Sequence, residues 1–143
     1  MIIRGQFIRD APHFAVHLRS PHFQGRIWLL ADTGASRTTL LDRSLHQLSI
    51  PAAALAPAPG AIIGVGGSVQ SHLLAGVEVV LASDTGIVVL IQDIWVAQHD
   101  LRRLSPQEQG RILRLPSVMG RDLINQFRFT CDYQNGKVEL ERV

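Results

Sequence analysis

Leu29-Leu30-Ala31 runs directly into Asp32-Thr33-Gly34, and two small residues, Ala35 and Ser36, follow. A short continuous apolar run predicts a strand buried on both faces. Asp-x-Gly predicts a sharp turn at its end. The carboxylate of Asp32 is therefore expected at a strand terminus, fixed in position and half out of water. An ionisable group held rigidly in such a place is a candidate for chemistry.

The rest of the chain reads as more strands separated by turns. Phe14, Val16 and Leu18 alternate within a strand from Phe7 to Leu18, and Ser20 to Gly25 is a turn before a strand from Arg26 to Ala31. Leu41, Leu45 and Leu48 have helical spacing, and Pro51 stops that helix ahead of an extended Ala/Pro loop from Ala52 to Gly60. Ala61 to Leu74 reads as a hairpin with Gly64-Val65-Gly66-Gly67 at its tip. Gly76 to Leu81 and Ile87 to Val96 read as two further strands. The stretch from His99 to Leu115 is a polar excursion with one short helix, capped by Ser105 and opened by Pro106. Val118-Met119 is a short strand ending at Gly120, Arg121 to Gln126 is a short helix, and Phe127 to Leu140 is a closing hairpin around Asn135-Gly136. The pattern predicts one mostly-β domain over residues 1–143 with one or two short helices.

Composition narrows the function classes. The 14 Lys and Arg against 12 Asp and Glu give a net charge of +2, and the cations are scattered apart from Arg102, Arg103, Arg111 and Arg114. A nucleic-acid surface would show a dense basic stripe with interleaved aromatics, so no nucleic-acid partner is expected. One cysteine, Cys131, excludes an intramolecular disulfide and a Cys-based zinc site. The longest apolar stretch, Gly86 to Ala97, is broken by Gln92 and Asp93, and a membrane span needs about 20 apolar residues. With no signal-peptide pattern at Met1 to Phe7, the expectation is a soluble cytoplasmic protein without a membrane partner.

Taken in order, the segments LLADTGAS, IIGVGG and VMGRDLI and the closing hairpin resemble the retropepsin-like aspartic proteases, the single-domain relatives of pepsin that act as homodimers. The resemblance runs from about Phe14 to Leu140. It implies an all-β acid-protease fold, closed and barrel-like, that works as a two-fold homodimer hydrolysing polypeptide substrates with no metal or other cofactor. Peptide hydrolysis needs a base to activate water and an acid to protonate the leaving group. Two carboxylates that share a proton supply both, as in the aspartic-protease dyad. Only one convincing copy of the motif is present, so the second Asp32 would come from a second subunit.

Further roles follow from the resemblance. Asp32, Thr33 and Gly34 form the catalytic motif, with the Thr33 hydroxyl bonding across the dimer axis and Gly34 admitting the substrate backbone. Ala35 and Ser36 wall the substrate groove, and Gly64, Val65, Gly66 and Gly67 form the tip of a flap over about 61–74. Val118, Met119, Gly120, Arg121 and Asp122 support the active-site loop. Ser36 stands where many viral relatives carry an Asp that pairs with the Arg of the Gly-Arg segment, so Arg121 needs another partner. The excursion at about 98–116 is longer than in a minimal viral enzyme. The alternative function is a catalytically inactive or autoprocessing-only peptide-binding module on the same scaffold.

Several residues have plainer readings. Asp84-Thr85-Gly86 repeats the three-residue motif, but only 52 residues separate Asp84 from Asp32 and Ser83 precedes it, so a turn is expected. His13 and His17 share a strand face that is expected to be solvated rather than metal-binding. Asp122 is expected to pair with a neighbouring charge such as Arg121. Cys131, Trp28 and Trp95 are expected in the core.

Overall fold

The computed structural model describes residues 1–60 and 69–142. Eleven strands and three helices are described: β1 (Ile2–Arg4), β2 (Gln6–Ile8), β3 (Ala11–Arg19), β4 (Gln24–Ala31), β5 (Thr39–Leu40), α1 (Asp42–Gln47), β6 (Ala56–Pro57), β7 (Val69–Ser83), β8 (Gly86–His99), α2 (Pro106–Ile112), β9 (Val118–Met119), α3 (Arg121–Ile124), β10 (Arg128–Asp132) and β11 (Lys137–Glu141). Single turns of 3₁₀ helix lie at Ala52–Ala54 and Leu101–Arg103. The first of these and β6 occupy the loop expected to be merely extended.

Eight strands form one sheet in the order β2-β3-β4-β9-β5-β8-β7-β6. Because β3 also pairs with β7, through His17–Val80, Leu18–Val79 and Arg19–Glu78, the pairings β3-β4-β9-β5-β8-β7 close into a ring. The fold is therefore mostly β and closed, as expected. Its interior is filled by alternate residues of the ring, among them Phe14, Val16, Leu29, Val79, Leu81, Ile94 and Val96, each no more than 1% exposed. A separate sheet, β1-β11-β10, joins the two ends of the chain. Nothing in the bare apolar pattern of the first residues had marked β1 as a strand.

Some expectations need correction. β4 is buried on one face only: Ile27, Leu29 and Ala31 point inward, while Trp28 stands 37% exposed with the Arg26 guanidinium 5.3 Å from its ring centroid. Trp95 is half-buried. Val69 to Leu74 and Gly76 to Leu81 are one strand, bent by a bulge between Leu74 and Val77 where Gly76 has φ +63°. Cys131 is exposed because β10 is the outer strand of its sheet, and β11 supplies the buried Val138 and Leu140. His13 is buried rather than solvated, with Nδ1 2.8 Å from the Ala11 carbonyl.

Candidate active site

β4 delivers Asp32 to the site, and β9 fixes where β4 ends. The two strands run parallel, pairing Leu30 with Val118 and Ala31 with Met119. The Leu30 amide donates to the Ser117 carbonyl at 3.0 Å, and the Asp32 amide donates to the Met119 carbonyl at 3.0 Å. Met119 is fully buried. The backbone of Asp32 thus rests on an anchored strand while its side chain is half-buried.

Residues 32–36 form a tight loop. The Gly34 amide donates to Asp32 Oδ1 at 2.9 Å, and the Ala35 amide donates to the Asp32 carbonyl at 3.1 Å. A Cβ at position 34 would stand only 3.1 Å from Asp32 Oδ1, closer than side-chain carbons normally approach. Thr33, Gly34 and Ser36 are exposed, and Ala35 is half-buried.

The first turn of α3 clamps this loop. Helix N-termini carry backbone N–H groups with no partner inside the helix. Here the Arg121 amide donates to the Ala35 carbonyl at 2.8 Å, and the Asp122 amide donates to the Ser36 carbonyl at 3.3 Å. Arg121 Nη1 donates to the Thr33 carbonyl at 2.9 Å. That carbonyl replaces the missing carboxylate partner at position 36. Gly120 permits the close approach, since a Cβ there would lie 2.5–2.8 Å from backbone atoms of Arg37.

Asp122 pairs with Thr38, not with Arg121. Its carboxylate accepts the Thr38 amide at 2.9 and 3.0 Å, the Thr38 hydroxyl at 2.7 Å and Gln92 Nε2 at 3.0 Å. The Thr38 hydroxyl in turn accepts from the Gly120 amide at 3.1 Å, and Thr38 is fully buried. A fixed hydroxyl that both donates and accepts ties the loop, β9 and α3 into one unit. Sequence reasoning missed Thr38 and Gln92. A polar Thr38-Thr39 pair ahead of Leu40-Leu41 was the only trace of the first, and nothing marked the second.

The repeated motif at Asp84 is a turn between β7 and β8, and its carboxylate accepts the Ile2 amide at 2.8 Å. That hydrogen bond is the main cause holding the Asp84 carboxyl below its ordinary pKa. A second feature that the sequence concealed is a buried pair: His99 Nδ1 lies 2.6 Å from Asp42 Oδ2, and the His99 amide donates to Asp42 Oδ1 at 2.9 Å. It joins the first turn of α1 to the end of β8. Adjoining clefts of about 410 and 670 Å³ open beside it, and Asp32 lines neither.

The expected flap tip, Gly64 to Gly67, lies outside the described residues, and β7 begins at Val69. Among the described residues, no group of three His, Cys, Asp or Glu side chains is placed to hold a metal ion, and no helix is long and apolar enough to cross a membrane.

No protein-family model and no curated protein matches the sequence. Solved structures do match. A retropepsin-like aspartic protease from Rickettsia conorii aligns over 99% of this chain and 89% of its own, with a TM-score of 0.58 at 16% identity. The EIAV protease complexed with the inhibitor HBY-793 aligns over 82% of this chain and 88% of its own, with a TM-score of 0.50 at 19% identity. With Asp32 at the end of β4, the closed strand ring and the clamp from α3 in place, the chain has the fold of the retropepsin-like aspartic proteases.

Proposed function

We propose that this protein is an aspartic endopeptidase whose catalytic centre forms when two copies of the chain bring their Asp32 carboxylates together. The observation that carries this reading is the half-buried Asp32 on a loop braced from beneath by β9 and from the side by α3. Within the described residues its carboxylate accepts one hydrogen bond, from Gly34, and no other carboxylate is hydrogen-bonded to it. The partner acid therefore has to come from another chain, and a two-fold axis beside Thr33 would supply it.

In the assembled site one Asp32 is ionised and takes a proton from water, and the other is protonated and hydrogen-bonds the scissile carbonyl. The water oxygen attacks the carbonyl carbon. The tetrahedral intermediate then expels the amine as a proton passes to the nitrogen. Thr33 secures the two loops across the axis, and Gly34, Ala35 and Ser36 line the floor of an extended peptide groove. By the same resemblance, Gly64, Val65, Gly66 and Gly67, which lie outside the described residues, are assigned the role of a flap over a bound peptide. Val118, Met119, Gly120, Arg121 and Asp122 hold the floor in place. The carboxylates and water provide all the chemistry, so no metal or cofactor is called for.

The test is cleavage of an unstructured peptide by the wild type and by Asp32→Asn and Asp32→Ala. Both variants are expected to lose about 10³-fold or more in turnover while keeping the wild-type fold. Retained turnover in either variant refutes the proposal. A peptidic mimic with a central hydroxyl, which resembles the tetrahedral intermediate, is expected to inhibit the wild type.

A further inference from the structure

The outer face of the barrel changes character at β8. Ile87, Val89 and Ile91 alternate with the buried Val88 and Leu90 and stand 64%, 41% and 73% exposed. Across β7 their neighbours are Ala82, Val80 and Glu78. Further round, the same face becomes charged, with Arg19 bonded to Glu78 at 2.9 Å and Arg26 stacked on Trp28. The apolar part is thus concentrated on the first half of β8.

That half of the strand is also an open edge. β8 meets β5 only at Trp95 and Val96, so the stretch from Gly86 to Gln92 has β7 on one side alone. Among the described residues, no backbone hydrogen bond outside the β7 ladder reaches Ile87–Ile91. Natural edge strands are normally blunted by charges, proline or a bulge. Ile87-Val88-Val89-Leu90-Ile91 has no charge and no proline, and its pairing with β7 is regular.

We propose that this edge pairs with the same edge of a second copy, antiparallel about a two-fold axis at Val89. The segment is self-complementary in that register. Val89 faces the Val89 of the second copy, and Ile87 faces its Ile91, so every cross-strand pair on the outer face is apolar. The charges agree. Arg142 and Met1 line a cleft with Ile87, Val88 and Val89, along the first half of the segment, and the exposed Asp93, whose Oδ1 accepts the Gly76 amide at 2.9 Å, lies beyond the second half. Antiparallel pairing sets the half of the segment beside Arg142 in each copy against the half that leads to Asp93 in the other. A strand pairing this short buries little area, so the contact is weak and fills at high protein concentration. It leaves Asp32 untouched, and it adds to the catalytic dimer instead of replacing it.

Sedimentation or light scattering over a range of protein concentrations tests the contact. Val89→Lys sets like charges against each other on the axis at an exposed position. It is expected to lower the average mass at the highest concentration about two-fold or more, with peptide cleavage and thermal unfolding unchanged. In a Cys131→Ser background, mild oxidation is expected to link Val89→Cys chains into pairs but not Ala82→Cys chains, whose cysteines would lie on β7, one strand back from the axis. A mass that Val89→Lys leaves unchanged overturns the proposal, whether the wild type fails to associate or the edge receives a foreign strand. Equal cross-linking at both cysteine positions also overturns it. Both readouts are independent of whether two Asp32 residues meet, because loss of the active-site dimer alters the starting mass and not the effect of Val89→Lys.

Discussion

Asp32 and Asp84 carry the same three-residue motif, and their surroundings separate them. Asp32 ends an apolar strand and is braced by β9 and α3, whereas Asp84 occupies a hairpin turn and binds the Ile2 amide. Asp84→Asn is therefore expected to leave peptide cleavage within about two-fold of wild type, in contrast to Asp32→Asn. The flanking residues made this distinction legible in the sequence. The bracing was less legible. Val118-Met119-Gly120 could be placed under the loop from the motif, but the partners of Arg121 and Asp122 could not, because a carbonyl and a buried threonine hydroxyl leave no charge signature. Asp122→Ala would leave the buried Thr38 amide and hydroxyl without their acceptor, and it is expected to cost about 2–4 kcal/mol in denaturant unfolding. Asp122→Asn keeps one acceptor oxygen and is expected to cost less. Equal stability of Asp122→Ala and wild type would mean that Asp122 does not hold the loop.

At the scale of elements, the alternation of β3, the helix before Pro51, the capped α2 and the closing hairpin were all readable, because each depends on local spacing or on one cap. Ser105 accepts the Glu108 amide as expected of an N-cap. Ser105→Ala is expected to destabilise α2 by about 1 kcal/mol, read as faster amide exchange across Pro106–Ile112 with little change elsewhere. Exchange rates unchanged in that helix would count against the cap. β1, the continuity of β7 and the one-sided burial of β4 were not readable, because each is decided by a distant partner. β1 exists through β11, and β7 continues through its bulge because β8 pairs with it on both sides. β4 faces the core on one side because the ring closes around that side alone.

For the whole molecule, stability draws on carboxylates that are hydrogen-bonded in the folded chain, one across remote segments and two within local turns. Asp84 is held below its ordinary pKa mainly by the Ile2 amide, Asp100 by the Arg102 side chain and Asp132 by the Asn135 side chain. In each case the unfolded chain binds a proton at higher pH than the folded one. The stability from these groups is therefore complete above the ordinary carboxylate range and declines as pH falls below it. The combined Asp84→Asn, Asp100→Asn and Asp132→Asn variant is expected to show a shallower loss of stability below about pH 4 in denaturant midpoints measured against pH. An unchanged slope would remove these links from the acid response. Closure of the ring was implied by the family resemblance, whereas the proposed two-chain site would be a matter of assembly, which one polypeptide's pattern expresses only through having a single convincing motif. That assembly can be tested by subunit mixing. Wild-type chains are equilibrated with an equal amount of Asp32→Asn chains, with subunits exchanging freely, and peptide cleavage is measured per wild-type chain. If each site needs an Asp32 from both copies, mixed pairs are inactive and activity falls to about half. Activity that stays at the wild-type level would contradict a shared catalytic centre.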